Sequence, residues 1–423
     1  MKTVFNSIII SMVLFIGPVY SYSQQNPDSL YFYLELAAEN NPIVLQRFSE
    51  YEAALKKIPQ VGTLPDPQLD LGVFITPMEL LGGKQVADMR LMQMFPWFGV
   101  LKNAKDEKSL MAKSKFELFR DAKLQVWYDV QRTWYELFKI RKDISISEKN
   151  MENLKVMEQL SLIKYKTPVT GNSELTDIYR IQIEAGELKN SIALLKNQEQ
   201  TIVARFNSYL NRAPLTKVHT TEVLLPDTLD LDIQALSDTI QNRNPVLKML
   251  YYEKEAYQAR GKMVKLMSYP MVGLGVNYSI IRGNNMSVSS MNGSDMVMPM
   301  ISVTLPVYRK KYTAMREEAS LLSKASLMNY QAASNSLHTE YFVAVQLYQD
   351  ALRRVKLYEG QYLLASKSLE IMLKSYSTSA ARLIDVLRVI QQTLDYELKQ
   401  VEAITDLNTA KALLNRLMAT SEF

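Results

Sequence analysis

The sequence predicts a mainly α chain with a small β portion, laid out as two copies of one elongated unit. Three observations carry that prediction. Short landmarks recur in the same order in both halves; apolar residues step by three and four along two very long stretches; and four short segments alternate apolar with polar residues.

Composition sets the outer bounds. The 423 residues include no Cys, two His (His219 and His338), 14 Gly and 22 Met. Lack of Cys removes a disulfide scaffold, a thiolate metal site, a Cys nucleophile and a lipid-modified Cys anchor. Two histidines far apart in sequence argue against a His-built metal centre. Sparse glycine argues against Gly-rich phosphate loops, and Gly273-x-Gly275 lacks the third glycine of a dinucleotide fingerprint. A net charge of +5 is mild, and no dense Lys/Arg block points to nucleic acid. No paired constellation for acid–base work stands out, so neither an enzyme nor a bound cofactor is expected.

The chain opens on an address. Lys2 precedes an apolar stretch from Ile8 to Val19, closed by Gly17-Pro18, with small residues at Ser21 and Ser23. This predicts a cleaved signal peptide over residues 1–23. The stretch is shorter than the ~20 residues a membrane-spanning helix needs. No later segment supplies such a run, so a membrane role would have to use strands.

Two units follow, residues 24–230 and 231–423. Asn41-Pro42 recurs as Asn244-Pro245, and Leu71-Gly72-Val73 as Leu274-Gly275-Val276 at the same offset. Pro96 recurs as Pro306, and Tyr165 with Asp177-Ile178 recurs as Tyr376 with Asp385-Val386. Each unit reads as helix, strand, loop, strand, long helix, turn, helix. Leu69, Leu71, Val73 and Ile75 share one strand face; Val272, Leu274, Val276, Tyr278 and Ile280 share another; Val297, Ile301, Val303 and Leu305 a third. The segment from Val86 to Phe95 alternates poorly. Polar turns are expected over Pro77–Lys84 and Arg282–Asp295.

Long helices are expected after Pro96 and Pro306. In the second, Tyr341, Ala344, Tyr348, Ala351, Val355 and Tyr358 belong to a single stripe of coiled-coil period. The first, about Leu101 to Lys164, shows two partial stripes, which suits a helix flanked on both sides. Shorter helices near Leu30–Ile58, Ser173–Leu210, Leu236–Met267 and Arg382–Met418 would stack end to end beside these long partners.

Four strands cannot close a barrel within one chain, because single-chain barrels start at about eight strands. A dimer would supply eight strands around a filled interior, and a trimer twelve around a lumen.

With the duplication, the Asn-Pro helix starts and the strand-loop-strand units ending in Pro, the sequence resembles a TolC-type outer-membrane efflux protein over nearly all the mature chain. That resemblance implies a homotrimer in the outer membrane with a shared 12-stranded transmembrane β-barrel. It also implies long antiparallel coiled-coil helices forming a periplasmic helical barrel. The helical barrel would dock on a periplasmic adaptor (membrane fusion) protein coupled to an inner-membrane pump, with substrates passing outward passively. The tips carry the family pattern too. Tyr376, Asp385, Val386 and Leu387 fit the second tip, with Ser379 where Gly is usual. Gly171, Thr176 and Asp177 fit the first, with three extra residues between Tyr165 and Gly171.

Carried over residue by residue, the resemblance implies Asp385 as an entrance carboxylate, with Arg388 where some members have a second acid. Thr176, Asp177, Tyr376 and Arg382 become gate partners, and Gly171 and Ser379 mark adaptor-docking tips. A plainer role for Asp177 and Asp385 is to favour helix starts. Met92, Met94, Met296, Met298 and Met300 share strand parity with polar residues and so belong to the expected lumen face. Thioethers suit Cu(I) or Ag(I), and metal-efflux members of the family exist; the alternative is that Met fills gaps. His219, in the polar link between units, and His338, beside the coiled-coil stripe, read as structural. The competing architecture is a periplasmic coiled-coil scaffold or adaptor that never enters the membrane.

Overall fold

The computed structural model describes residues 30–166, 175–229, 233–285, 290–378 and 380–420. The expected signal peptide, the junction between the two units at residues 230 and 231, and the tip residues Gly171 and Ser379 lie outside these. The elements run α1 (Leu30–Asn40), α2 (Pro42–Gly62), β1 (Gln68–Leu80), β2 (Gly83–Phe95), α3 (Val100–Lys166) and α4 (Leu175–Tyr209). The same order then returns as α5 (Ile233–Arg243), α6 (Pro245–Met267), β3 (Met271–Arg282), β4 (Met296–Thr304), α7 (Arg309–Ser377) and α8 (Leu383–Met418). Helices α3 and α7 have 67 and 69 residues, each about 100 Å long at 1.5 Å per residue.

Each Asn-Pro pair divides what reads in sequence as one helix. Proline disfavours helical backbone in the residue before it, and Asn41 is extended at φ −67°, ψ 123°. Its Oδ1 accepts from the Ile43 amide at 2.9 Å, while Pro42 occupies the first helical position, where no N–H is needed. Asn41 Nδ2 then donates to the Tyr209 carbonyl at 2.8 Å, tying the break to the end of α4. Asn244 repeats the arrangement, accepting from Val246 N at 2.9 Å and donating to Leu417 O at 3.1 Å at the end of α8.

The four strands form one antiparallel sheet in the order β1-β2-β3-β4. The first turn is shorter than the sequence suggests: β1 runs on to Leu80, β2 starts at Gly83, and only Leu81-Gly82 turn. Register jumps from the Val73–Ala87 pair to Met78–Gln85, leaving Pro77 in the irregularity, where its missing N–H costs no ladder bond. Gly83 has φ +130°, and a Cβ there would lie 2.6 Å from the Arg282 carbonyl, so this corner requires glycine.

Register sorts the two faces of the sheet. One face presents the row Leu69–Leu91–Val276–Pro299 and beside it Leu71–Met89–Tyr278–Val297. The opposite face presents Asp70–Arg90–Asn277–Met298 and Gly72–Asp88–Ser279–Met296. The apolar face lies open, with Leu71 66% and Val73 79% exposed.

Below the sheet the helices form a layer. Helix α3 packs against α2, α4, α6 and α8, while α7 packs on α6 and α8 and forms the outer edge. Three buried clusters hold the layer. The first joins Tyr33 and Leu34 of α1 to Trp134 and Leu137 of α3 and Phe206 of α4. The second joins Tyr341 and Tyr348 of α7 to Leu407 and Leu414 of α8. The third lies at the tips.

The link from α4 to α5 crosses from the first cluster to the second. The His219 amide donates to the Tyr33 hydroxyl and its carbonyl accepts from Trp134 Nε1. Farther along, the Leu229 amide donates to the Tyr348 hydroxyl at 2.6 Å. The main chain of His219 thus serves the packing. His338 Nε2 meets Gln241 Nε2 at 2.9 Å. No helix among the described residues is long and apolar enough to cross a membrane.

Candidate functional site

Two places concentrate the residues singled out in the sequence: the helical tips and the polar face of the sheet. At the tips α3 and α7 end while α4 and α8 begin. Leu154, Met157, Ile181, Tyr376, Val386 and Leu387, drawn from all four helices, form the third buried cluster.

Tyr376 is the polar centre of that cluster. Its hydroxyl lies 2.9 Å from Ser161 Oγ of α3, both groups being buried. Lys164 donates from Nζ to the Tyr376 carbonyl and lies over the tyrosine ring, 3.8 Å from its centroid. One residue of α7 is therefore held by two of α3, across the boundary between the two helical hairpins. A cation over an aromatic ring contributes about 0.5–2 kcal/mol and a net hydrogen bond about 1 kcal/mol. Burial pushes the Tyr376 phenol above its ordinary range, with the Asp177 carboxylate adding to that push and the Ser161 bond opposing it. Burial likewise lowers the Lys164 amine.

Thr176 and Asp177 sit in the first turn of α4, and Asp385 in the first turn of α8. Both carboxylates thus occupy positions that favour the helix dipole. Asp385 is also a bridge: its Oδ2 accepts from Arg382 Nε at 3.1 Å, and its Oδ1 lies 3.9 Å from Arg388 Nη1. The two guanidinium groups are largely exposed, so the cluster contributes little stability and instead presents mixed charge. A third contact, from Gln391 Nε2 to Glu184 Oε2 at 2.7 Å, joins α8 to α4.

The structure therefore brings Asp385, Arg382 and Arg388 together and places Asp177 within electrostatic reach of Tyr376. Ser161, Lys164, Glu184 and Gln391 escape sequence reasoning. A lysine in a last helical turn is ordinary, and nothing local marks Ser161 as a partner for a residue in the other half.

On the sheet, Met92, Met94, Met296, Met298 and Met300 all lie on the face that carries Asp70, Asp88, Arg90, Asn277 and Ser279. Gly273 and Gly275 lie among them, with Ser302 opposite Gly273. Midway along α3, Asp143 is buried and its Oδ1 has no hydrogen-bond partner, while Oδ2 lies 3.6 Å from Lys139 Nζ. Burial pushes this carboxyl up to about 6, with Lys139 opposing.

No protein-family model and no curated protein matches the chain. Among solved structures it is similar to the outer-membrane channel OprN, at 16% identity and a TM-score of 0.75, covering 92% of this chain and 89% of that one. It is similar to the outer membrane protein VceC from Vibrio cholerae at 14% identity and a TM-score of 0.73, covering 92% and 95%. The Campylobacter jejuni outer membrane channel CmeC gives 13%, 0.75, 92% and 85%. At these identities the likeness shows the fold: mainly α, with four strands per chain, as in TolC-type channels.

Proposed function

We propose that this chain is the outer-membrane exit duct of a tripartite efflux system, acting as a homotrimer that conducts substrate passively and performs no chemistry. One observation carries the reading: both layers end in unsatisfied edges. The sheet stops at β1 on one side and β4 on the other, and strand edges in a bilayer must be paired. In the helical layer, Leu357, Leu364 and Ile371 recur every seven residues along α7, and all three are more than half exposed. A heptad stripe of this kind suits a neighbouring helix. Three copies give twelve strands, enough for a lumen, with the apolar face toward lipid and the Asp70–Arg90 row inside. The long helices then extend the lumen into the periplasm as a helical barrel.

The outer-membrane channels of the same fold support the placement. Residues 1–23 act as the cleaved export signal, and residues 24–230 and 231–423 are the two structural repeats. At the periplasmic mouth Asp385, Arg382 and Arg388 form a ring of mixed charge, and Thr176, Asp177 and Tyr376 act in its gate. The tie from Tyr376 to Ser161 and Lys164 couples the two hairpins, so opening moves them together. The tips at Gly171 and Ser379 dock a periplasmic adaptor, and an inner-membrane pump supplies the energy.

Reconstitution in planar bilayers tests the reading. The purified chain is expected to conduct as a three-chain species, and Asp385→Lys to change conductance or its block by multivalent cations. Unchanged traces for Asp385→Lys would remove this residue from the entrance. A protein released from membranes by salt alone and silent in bilayers would instead be the periplasmic scaffold.

A further inference from the structure

The sheet sorts its apolar residues by face in an unusual way. Leu, Val and Ile occupy the face read as lipid-facing. From the helical end up to the Gly72–Asp88–Ser279–Met296 row, every apolar side chain on the opposite face is methionine. Leucine fills a comparable volume, and methionine differs from it in flexibility and in its polarizable thioether. Of these two differences, the sulfur is the one that can bind a ligand.

Two of the sulfurs, those of Met92 and Met94, also converge. Met92 of β2 and Met300 of β4 both pair with Gly275 of β3. Two strand spacings separate them by about 10 Å, and between them no side chain intervenes. A Cβ at Gly275 would lie 3.0 Å from Met92 Sδ. One at Gly273 would lie 2.6 Å from Met94 Sδ and 3.1 Å from Met92 Sδ. The two thioethers are thus laid over the space the glycines leave, and Met300 pairs with Gly275 on the far strand, on the same face of the sheet. Met92 is buried and Met300 half-buried, so the cluster is sheltered although it lies on the polar face.

We propose that Met92, Met94 and Met300 form a thioether site for a soft monovalent cation, Cu(I) or Ag(I). Neutral sulfur ligands favour soft ions, whereas Na⁺, Mg²⁺ and Ca²⁺ prefer oxygen. Placement of the site inside a conducting lumen rests on the duct reading; the binding itself does not. In the trimer the site occurs three times around the lumen, a multiple-site arrangement that permits both entry and release of an ion.

Silver nitrate, added to the detergent-purified full chain in chloride-free buffer, is the probe. Calorimetric titration is expected to give about one Ag(I) per chain, and X-ray absorption a first shell of sulfur. Replacing Met92, Met94 and Met300 together by Leu should weaken binding at least about tenfold, whereas Met89→Leu, on the other face, should leave it unchanged. Equal affinity in the triple variant, or a first shell without sulfur, overturns the site. If the triple variant does not fold, protein produced with norleucine in place of methionine removes every sulfur at nearly constant volume, and retained silver binding there overturns the site as well. Bilayer conductance of the same wild-type preparation is read separately. A conducting, silver-blind protein overturns the site alone, and a silver-binding, non-conducting one overturns the duct alone.

Discussion

Helices α3 and α7 hold equivalent places in the two units and have nearly equal length, yet 21 residues of α3 are buried against 10 of α7. The first is enclosed by five helices of its own chain, α1, α2, α4, α6 and α8; the second leans on α6 and α8 and leaves its other side open. The order of elements puts a long helix at the same place twice, and among the described residues only α3 completes its packing within the chain. Chain stability therefore rests more on α3, and the open side of α7 is the one available to the proposed trimer.

The largest effect should come from charging the open side. Leu357→Glu together with Leu364→Glu removes two apolar contacts, each contributing ~1.5–3 kcal/mol when buried, and places like charges in the seam. The chain is expected to keep its helical content while light scattering in detergent shows monomers; a retained oligomer would break the comparison.

Trp134→Ala is the converse experiment. It opens a cavity in the enclosed helix and strands the His219 carbonyl, at a cost of about 3–5 kcal/mol, read as a lower urea midpoint by circular dichroism. Indifference of that midpoint would mean α3 is not the stability core.

Asp143 sharpens the contrast further, because an enclosed helix can carry a buried charge penalty. Burial raises this carboxyl from its ordinary 3.8 to about 6. Above about pH 6 the carboxylate is charged in both states and the penalty is fully felt. As pH falls through 6 the folded state binds the proton first, and below 3.8 the difference has vanished. Asp143→Asn should therefore stabilise the protein at pH 8 by up to about 3 kcal/mol, with the gain largely gone by about pH 3. A pH-independent difference between variant and wild type would refute this account.

The smallest effects should be symmetric. Asn41→Ala and Asn244→Ala each lose a cap and a tie to the following hairpin, costing about 0.5–2 kcal/mol. Similar losses at both sites are expected in thermal melts. Markedly unequal losses would extend the asymmetry from the edges to the frame itself.

Much of this was legible in sequence, and the exceptions have physical causes. Long helices and strand faces follow from periodicity, which burial enforces directly. The segment now seen as β2 hides its alternation because Met92 and Met94 put apolar side chains on the polar face, and because Val86 has no register partner in either ladder. The turn near Pro77 was displaced because proline and paired glycines mimic a turn where the chain in fact makes an irregular strand. In α7, the seam through Tyr341 and Tyr348 stood out, while the second seam through Leu357, Leu364 and Ile371 lay beneath it. At the tips, Asp385 and its arginines are neighbours in sequence and could be grouped; Ser161 and Tyr376 are joined only by the fold.

Open strand edges also bear on how the protein reaches its final state. The outer edges of β1 and β4 find no partner among the described residues of their own chain, so closing the proposed barrel is a reaction between molecules, and such steps are concentration-dependent. In the proposed trimer the initial rate of closure rises more steeply than the amount of chain present. Halving expression would then lower that rate by more than half, and chains awaiting partners would hold the apolar strand face exposed for longer. The three buried clusters of the helical portion close within one chain and have no such delay. Folding and assembly are thereby separated in time as well as in place.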